Sequence, residues 1–306
     1  MNNSWLFNGD CLEIMDKLIN RGIKVDAIIT DPPYQITACF WDLLIPFNNH
    51  IMIQKNKKQI PLYRDDYILQ ELKNGKDYKD ICIYFDNNCK EGMWQKLNKL
   101  IKPNGAIVLF GSEPFSSALR MSNIKNYKYD WVWEKDKPNN FALANKRPMN
   151  YHENISVFYF KLPTYNKQMQ LREGGGITRF KRPVDYKNQK SDHLTLKQGI
   201  KKHNPKFKNP KSIQIFSTGR RQNNIHPTQK PVALLEYLIK TYTNENELVL
   251  DFTCGSGTCG KACNNLNRKF IGIDNGICER DKVINGIQIK GLSWIEITKL
   301  RIDGKI

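Results

Sequence analysis

No stretch of this 306-residue chain approaches the ~18 consecutive apolar residues that a membrane-spanning helix needs. The first residues, Met1-Asn2-Asn3-Ser4, carry neither the basic start nor the apolar core of a secretory leader. A soluble protein made inside a cell is therefore expected. The eight cysteines include no Cys-x-x-Cys pair, and their scatter fits reduced thiols better than a disulfide frame. Cys254, Cys259 and Cys263 fall close enough in sequence to suggest a metal, but no second pair or histidine completes a ligand set, so they read as small core residues. No internal repeat is visible.

Acids are scarce: 30 Asp and Glu stand against 48 Lys and Arg, a net charge of +18. Codon bias toward lysine would spread that excess evenly. Instead, residues 161–222 hold sixteen bases and three acids (Glu173, Asp185, Asp192), so about a fifth of the chain carries +13 of the total. Such clustering points to a polyanionic partner.

The chain is long enough to bury a full-sized core. Cys11 to Leu18 predicts a short helix and Val25–Ile29 a buried strand. Further strands are expected at 105–111, 129–135, 154–160, 247–252 and 269–274. Helices are expected at 231–242, with Pro231 in the first turn, and at 258–266. This alternation predicts an α/β fold with a doubly wound, mainly parallel sheet, whose ligands sit outside the carboxyl ends of the strands. Residues 48–91 are polar and Lys-rich; a helix is expected within "YILQELKNGKDYKDI", and the rest shows no clean alternation. The tail after 275, with Gly276, Gly286 and Gly291, shows no clear pattern either.

Two strand ends carry chemistry. In "VLDFTCGSGTCG" a strand runs into Gly-x-Gly and then a helix, which lets backbone approach a ligand closely. Asp274 ends the next strand about 20 residues on, where a carboxylate can bind ribose hydroxyls. The pairing points to an adenosine-type cofactor without separating NAD from S-adenosylmethionine; a plain strand–helix turn with a capping acid is the bland alternative. The second end is "DPPY", residues 31–34. Its prolines remove two amide donors, leaving backbone carbonyls and the Asp31 carboxylate as an acceptor-only ledge beside the Tyr34 ring. Acceptors next to a stacking ring suit an exocyclic amine on a planar base that is flipped out or unpaired. A Pro-rich turn with Tyr34 as packing is the alternative.

With "NGDCLEIM" (8–15), DPPY, "HENISVFY", "HPTQKP" (226–231) and "LDFTCGSGTCG" in this order, the sequence resembles the amino-methyltransferases of DNA. These are the adenine-N6 and cytosine-N4 enzymes that use S-adenosylmethionine. The order resembles their permuted β group, in which the catalytic half precedes the cofactor half, and phage and viral members in particular. The likeness covers roughly residues 4–47, 92–160 and 224–274. It implies a seven-stranded Rossmann-like sheet with an inserted basic region. Residues 1–160 would form the catalytic half (with an insertion at 48–91), 161–222 the target-recognition region, and 223–306 the cofactor half and tail.

The resemblance also implies roles. Asp31 and the carbonyl of Pro32 would hold the target amino group, with Pro33 shaping the turn and Tyr34 stacking on a flipped adenine. Asp274 would bind the cofactor ribose. Gly255 and Gly257 would line the methionine end beside Asp251, Phe252 and Thr253. Asp10 and Cys11 would border the cofactor adenine, and Thr228 and Lys230 its carboxylate. His226 would be structural. "QITACFWD" (35–42) would be a lid, with Trp41 packed on it or anchored in the core. Three departures stand out: Thr253 replaces the usual Phe, Gln35 replaces a frequent Gly, and 48–91 is extra.

In the basic region Arg179, Arg182, Lys201, Lys202, Arg220 and Arg221 are candidate contacts to duplex DNA, through guanine edges or, more simply, phosphates. The linker 135–153 is a further candidate. Expected partners are double-stranded DNA and, as open alternatives, a second copy of the chain and a cognate restriction endonuclease. The expected setting is the cytoplasm of a bacterial or phage- or virus-infected cell. Adenine-N6 transfer leads because Asp stands at 31, where cytosine-N4 enzymes more often carry Ser. Cytosine-N4 transfer, RNA adenine or protein glutamine methylation, and a non-catalytic DNA-binding subunit are the competing readings.

Overall fold

The alternating apolar runs assemble one large sheet. In chain order its strands are β1 (Ser4–Asn8), β2 (Val25–Thr30), β5 (Ile101–Gly111), β6 (Tyr127–Asn139), β7 (Asn150–Phe158), β12 (Ile213–Phe216), β13 (Leu248–Asp251) and β14 (Lys269–Asp274). The other strands lie outside this sheet: β3 (His50–Lys55), β4 (Lys58–Tyr63), β8 (Gln170–Leu171), β9 (Val184–Asp185), β10 (Ile200–Lys201) and β11 (Phe207–Lys208), with β15 (Val283–Ile284) and β16 (Ile287–Gln288) in the tail. This computed structural model describes residues 3–34, 45–55, 58–172, 184–185, 200–201, 206–218, 225–226 and 228–306.

The sheet order is β1-β14-β13-β2-β5-β7-β6-β12. Every neighbouring pair is parallel except β5–β7 and β6–β7, so β7 alone runs against the rest. The doubly wound, mainly parallel sheet is as expected, and β12 extends the seven-stranded core by one edge strand. Since β12 falls inside 161–222, that basic stretch is not one structural piece.

Strand periodicity places alternate residues on opposite faces. Ile28, Ile107 and Leu109 meet helices α1 (Cys11–Asn20), α4 (Met93–Leu100) and α5 (Phe115–Ser122) through Met15, Leu97 and Leu119. Ala27, Ile29, Val108 and Phe110 meet α6 (Val232–Tyr242) and α7 (Thr258–Asn265) through Leu235, Ile239 and Ala262. Cys254, Cys259 and Cys263 pack in this second layer as small core residues. Pro231 sits one residue before its helix, at the N-cap.

Within 48–91 the described residues form the antiparallel pair β3–β4 and helices α2 (Arg64–Lys73) and α3 (Tyr78–Asn88). Tyr67, Ile68, Ile81 and Phe85 give this insertion a small core of its own. The helix expected within "YILQELKNGKDYKDI" is present as α2 and α3, separated where Gly75 adopts φ +81°. The tail ends in α8 (Trp294–Ile302), started by a capping box between Ser293 and Glu296.

Close packing divides the chain into one unit of Met1–Tyr165 with Ile213–Ile306 and a second of Asn166–Ser212. In the second, β8 pairs with β11 and β9 with β10, both antiparallel. Among the described residues, no helix is long and apolar enough to cross a membrane.

Candidate active site

Strands β2 and β13 are neighbours, with Ala27 opposite Val249 and Ile28 opposite Leu250. Their carboxyl-end turns therefore lie side by side, DPPY after one and the glycine turn after the other. Thr253 joins them: its hydroxyl donates to the Asp31 backbone carbonyl at 3.1 Å and lies 3.0 Å from Thr30 Oγ1. The Thr30 hydroxyl in turn donates to Asp251 Oδ1. From β14, Asp274 accepts the Gly255 amide on Oδ2 and the Gly276 amide on Oδ1, each at 2.8 Å. These ends form the floor of a cleft of about 1070 Å³.

The two glycines of the turn have different reasons to be glycine. Both have positive φ, +49° at Gly255 and +74° at Gly257. A Cβ on Gly255 would meet nothing, so its backbone opens on the cleft; one on Gly257 would sit 2.5 Å from Thr298 Oγ1. Helix α8 backs the turn. Thr298 Oγ1 donates to the Gly255 carbonyl at 3.0 Å, and the buried Arg301 Nη1 donates to the Ser256 carbonyl at 2.7 Å and to Thr258 Oγ1 at 3.1 Å.

A line of charge runs from the protein interior to Asp31. Lys135 Nζ, from β6, donates to Glu153 Oε1 on β7. Glu153 Oε2 lies 3.4 Å from Lys230 Nζ, which donates to Asp31 Oδ2. The other Asp31 oxygen accepts the Tyr34 hydroxyl. Lys135, Glu153 and Lys230 are all buried. Burial pushes the Glu153 carboxyl up, but the ammoniums of Lys230 and Lys135 outweigh it and hold it below its ordinary value. Asp31 is raised: burial and the Glu153 charge prevail over Lys230 and the Tyr34 hydrogen bond. Burial likewise lifts Asp251 to about 7, against the hydrogen bonds from Thr30 and Thr253, and raises Asp274 against its backbone amides.

The family model for N6/N4 DNA methylases matches residues 25–279. The chain belongs to that family. Relatives include the type II methyltransferase M2.LlaDCHI of Lactococcus lactis subsp. cremoris, 26% identical over 279 residues and covering 89% of this chain and 85% of that protein. M.HindIII of Haemophilus influenzae is 24% identical over 300 residues, covering 89% and 92%. Among solved structures, the M1.HpyAVI–SAM complex superposes with a TM-score of 0.52 at 22% identity, covering 98% and 99% of the chains. The cytosine-N4-specific PvuII DNA methyltransferase gives 0.52 at 16%, covering 99% and 94%. At these identities the structural likeness concerns the fold. S-adenosylmethionine is the family's methyl donor.

In this DNA methylase the cleft gathers Asp10, Cys11, Asp31, Pro32, Pro33, Tyr34, Thr228, Lys230, Asp251, Phe252, Thr253, Gly255 and Asp274. Gly257 does not line it but faces α8. The Asp10 carboxylate caps α1 by accepting the Leu12 and Glu13 amides at 2.9 and 3.1 Å. Tyr34 has one ring face against Phe115, with centroids 4.9 Å apart, and Lys230 Nζ 5.9 Å from its centroid. Lys230, placed by the resemblance at the cofactor carboxylate, lines the cleft and is held between two protein carboxylates, because a buried ammonium needs counter-charge. His226 packs edge-on to Trp294 at 4.7 Å and its Nδ1 accepts the Thr228 amide at 3.3 Å; burial, with Lys230 and Arg280 nearby, lowers it to about 4.

Arg179, Arg182, Lys202, Arg220, Arg221 and the segment 35–42 with Trp41 lie outside the described residues. Lys201 lies in β10, within the second unit. Sequence reasoning had Lys135 and Glu153 only as the two ends of the candidate linker 135–153, and missed them as a buried charged pair leading to Asp31. Opposite charges inside two apolar strands were the available signal. It also missed Thr298 and Arg301, for which the Ser293-x-x-Glu296 box marked a helix.

Proposed function

We propose that this methylase transfers a methyl group from S-adenosylmethionine to N6 of an adenine extruded from duplex DNA. The observation that carries the reading is the adjacency of Asp31 and the glycine turn in one cleft, tied by Thr253. The cleft fits the donor: Gly255 presents open backbone, and each Asp274 oxygen engaged by an amide retains accepting capacity for ribose hydroxyls. When bound there, S-adenosylmethionine supplies an electrophilic methyl group on sulfur.

The protein's own residues align and polarise. Asp31 and the Pro32 carbonyl accept the N–H groups of the target amine, which turns the nitrogen lone pair toward the methyl carbon. As the N–C bond forms and the S–C bond breaks, positive charge grows on that nitrogen, and the Asp31 carboxylate stabilises it. One N–H proton must then leave. Burial already biases Asp31 toward its protonated form, which suits it to receive that proton. No nucleophilic side chain is needed, so rate comes from alignment and electrostatics. Asp at 31, rather than Ser, favours adenine over cytosine. Residues 161–222 supply the salt-sensitive grip on the duplex.

Two measurements test this reading. The Asp31→Ala variant is expected to lose methylation while cofactor affinity stays nearly intact; a wild-type rate would overturn the assignment. Mass spectrometry of nucleosides from treated duplex DNA is expected to show N6-methyl-2′-deoxyadenosine, whereas N4-methyl-2′-deoxycytidine alone would transfer the reading to cytosine.

A further inference from the structure

We infer that Glu153 is a positioning residue that receives Lys230 when the target amine takes its place on Asp31. This rests on the reading of Asp31 given above. Both oxygens of that carboxylate are engaged, Oδ1 by the Tyr34 hydroxyl and Oδ2 by Lys230 Nζ. An incoming amine would share Oδ2 with the ammonium, a second donor that crowds its approach. The ammonium is also the wrong neighbour for the reaction. Positive charge develops on the amine nitrogen, and a fixed cation in contact with it raises the barrier.

Lys230 therefore has to withdraw, and the structure supplies where it goes. Glu153 Oε2 lies 3.4 Å from Nζ and is a buried oxygen with no hydrogen bond among the described residues. Its twin, Oε1, is already satisfied by Lys135. Glu153 thus already pairs with Lys230 through an oxygen that makes no hydrogen bond, and that contact can tighten. Glu153 and Lys135 stand on the paired strands β7 and β6, so the acceptor is fixed in place. Simple bracing would not require this arrangement. Burying an ion costs several kcal/mol, and one Lys–Glu pair would have neutralised itself. Here a second lysine is added whose other contact is the reactive carboxylate. When Asp31 later takes up the product proton, Lys230 keeps a counter-charge in Glu153, so the protonated carboxyl leaves no isolated cation behind.

The test compares wild type, E153Q, K230Q and E153Q/K230Q on genomic DNA from a methylation-deficient strain, with tritiated S-adenosylmethionine. Without Glu153, Lys230 has only Asp31 to hold, so E153Q is expected to lower kcat by about tenfold or more. The cofactor dissociation constant, from calorimetry, should stay within about threefold of wild type, since the turn that faces it is untouched. Removing the clamp as well should help, so E153Q/K230Q is expected to turn over faster than E153Q. A structural role predicts the reverse, with the double variant no faster than the single. That result, or wild-type kcat in E153Q, overturns the inference. If E153Q does not fold, the charge-balanced K135M/E153Q is compared with K135M/E153Q/K230Q on the same criterion. Asp31→Ala, assayed alongside, separates the two levels. Its activity at the wild-type rate defeats the reading of Asp31, whereas an inactive Asp31→Ala beside a fully active E153Q defeats only the role of Glu153.

Discussion

The hydroxyl of Thr253 donates to the backbone carbonyl of Asp31 across 3.1 Å, so one side chain joins the turn after β13 to the turn after β2. Thr253 is also the position where the resemblance implied a Phe. A Phe could not make that bond. The threonine therefore gives this chain a tether between the two turns.

Thr253→Val should loosen that tether while keeping the side-chain volume. A lost hydrogen bond of this kind is worth about 1 kcal/mol of stability. The larger effect is expected on turnover, with kcat falling by about tenfold, because misplacement by ~1 Å can cost up to a hundredfold. Steady-state kinetics beside a thermal melt decide it: a lowered melting temperature with unchanged kcat would show that the tether only supports the fold.

Arg301 braces the glycine turn from behind, donating to Ser256 and Thr258 from a buried position. Burial alone lowers its pKa, to about 10, which still leaves it charged at neutral pH. Arg301→Met should cost roughly 1.5–3 kcal/mol of stability, the range for hydrogen bonds to charged groups. It should weaken S-adenosylmethionine binding by about tenfold while changing saturated turnover little. Calorimetric titration would contradict this if affinity were unaffected.

His226 gives a pH signature. Its folded value near 4 lies below the ordinary 6.5 because burial disfavours the imidazolium. Between those values the unfolded chain binds the proton and the folded one does not. This residue therefore lowers stability as pH falls from about 6.5 to about 4, and its effect is absent above that window. His226→Gln should make acid unfolding less steep there, and the wild-type imidazole should titrate near 4 by NMR. A midpoint near 6.5 would refute the burial argument.

The sixteen bases of 161–222 should make duplex binding steeply salt-dependent. With six or more phosphate contacts, affinity is expected to fall about a thousandfold between 50 and 200 mM salt. Fluorescence anisotropy on a labelled duplex would show a shallow slope if these side chains stayed in solvent.

What could be read in the sequence was what is written locally. DPPY, the glycine turn and Asp274 each occupy the end of one strand, and strand ends follow from apolar runs. Glu153 and Lys135 were invisible as a pair because their meaning depends on which strands become neighbours. Nothing near either residue in the chain announces that β7 runs antiparallel between β5 and β6. The insertion was hidden for another reason. Its paired strands, HIMIQK and KQIPLY, are diluted by lysine and interrupted by Pro61, and they serve a small core that large-domain periodicity does not describe. Helix α8 went unread in the tail, although its capping box was a local signal for it, and its task behind the glycine turn had no local signal.

The pairing of β1 with β14 sets an order of assembly. Among the described residues Ser4–Asn8 pairs only with Lys269–Asp274, and β2 gains its neighbour β13 almost as late. During synthesis, the amino-terminal part therefore leaves the ribosome with two unfinished edges that nothing made earlier can cover. Such long-range closure is slow, and exposed edges invite aggregation. Truncation before residue 274 should leave a sticky fragment rather than a smaller working domain.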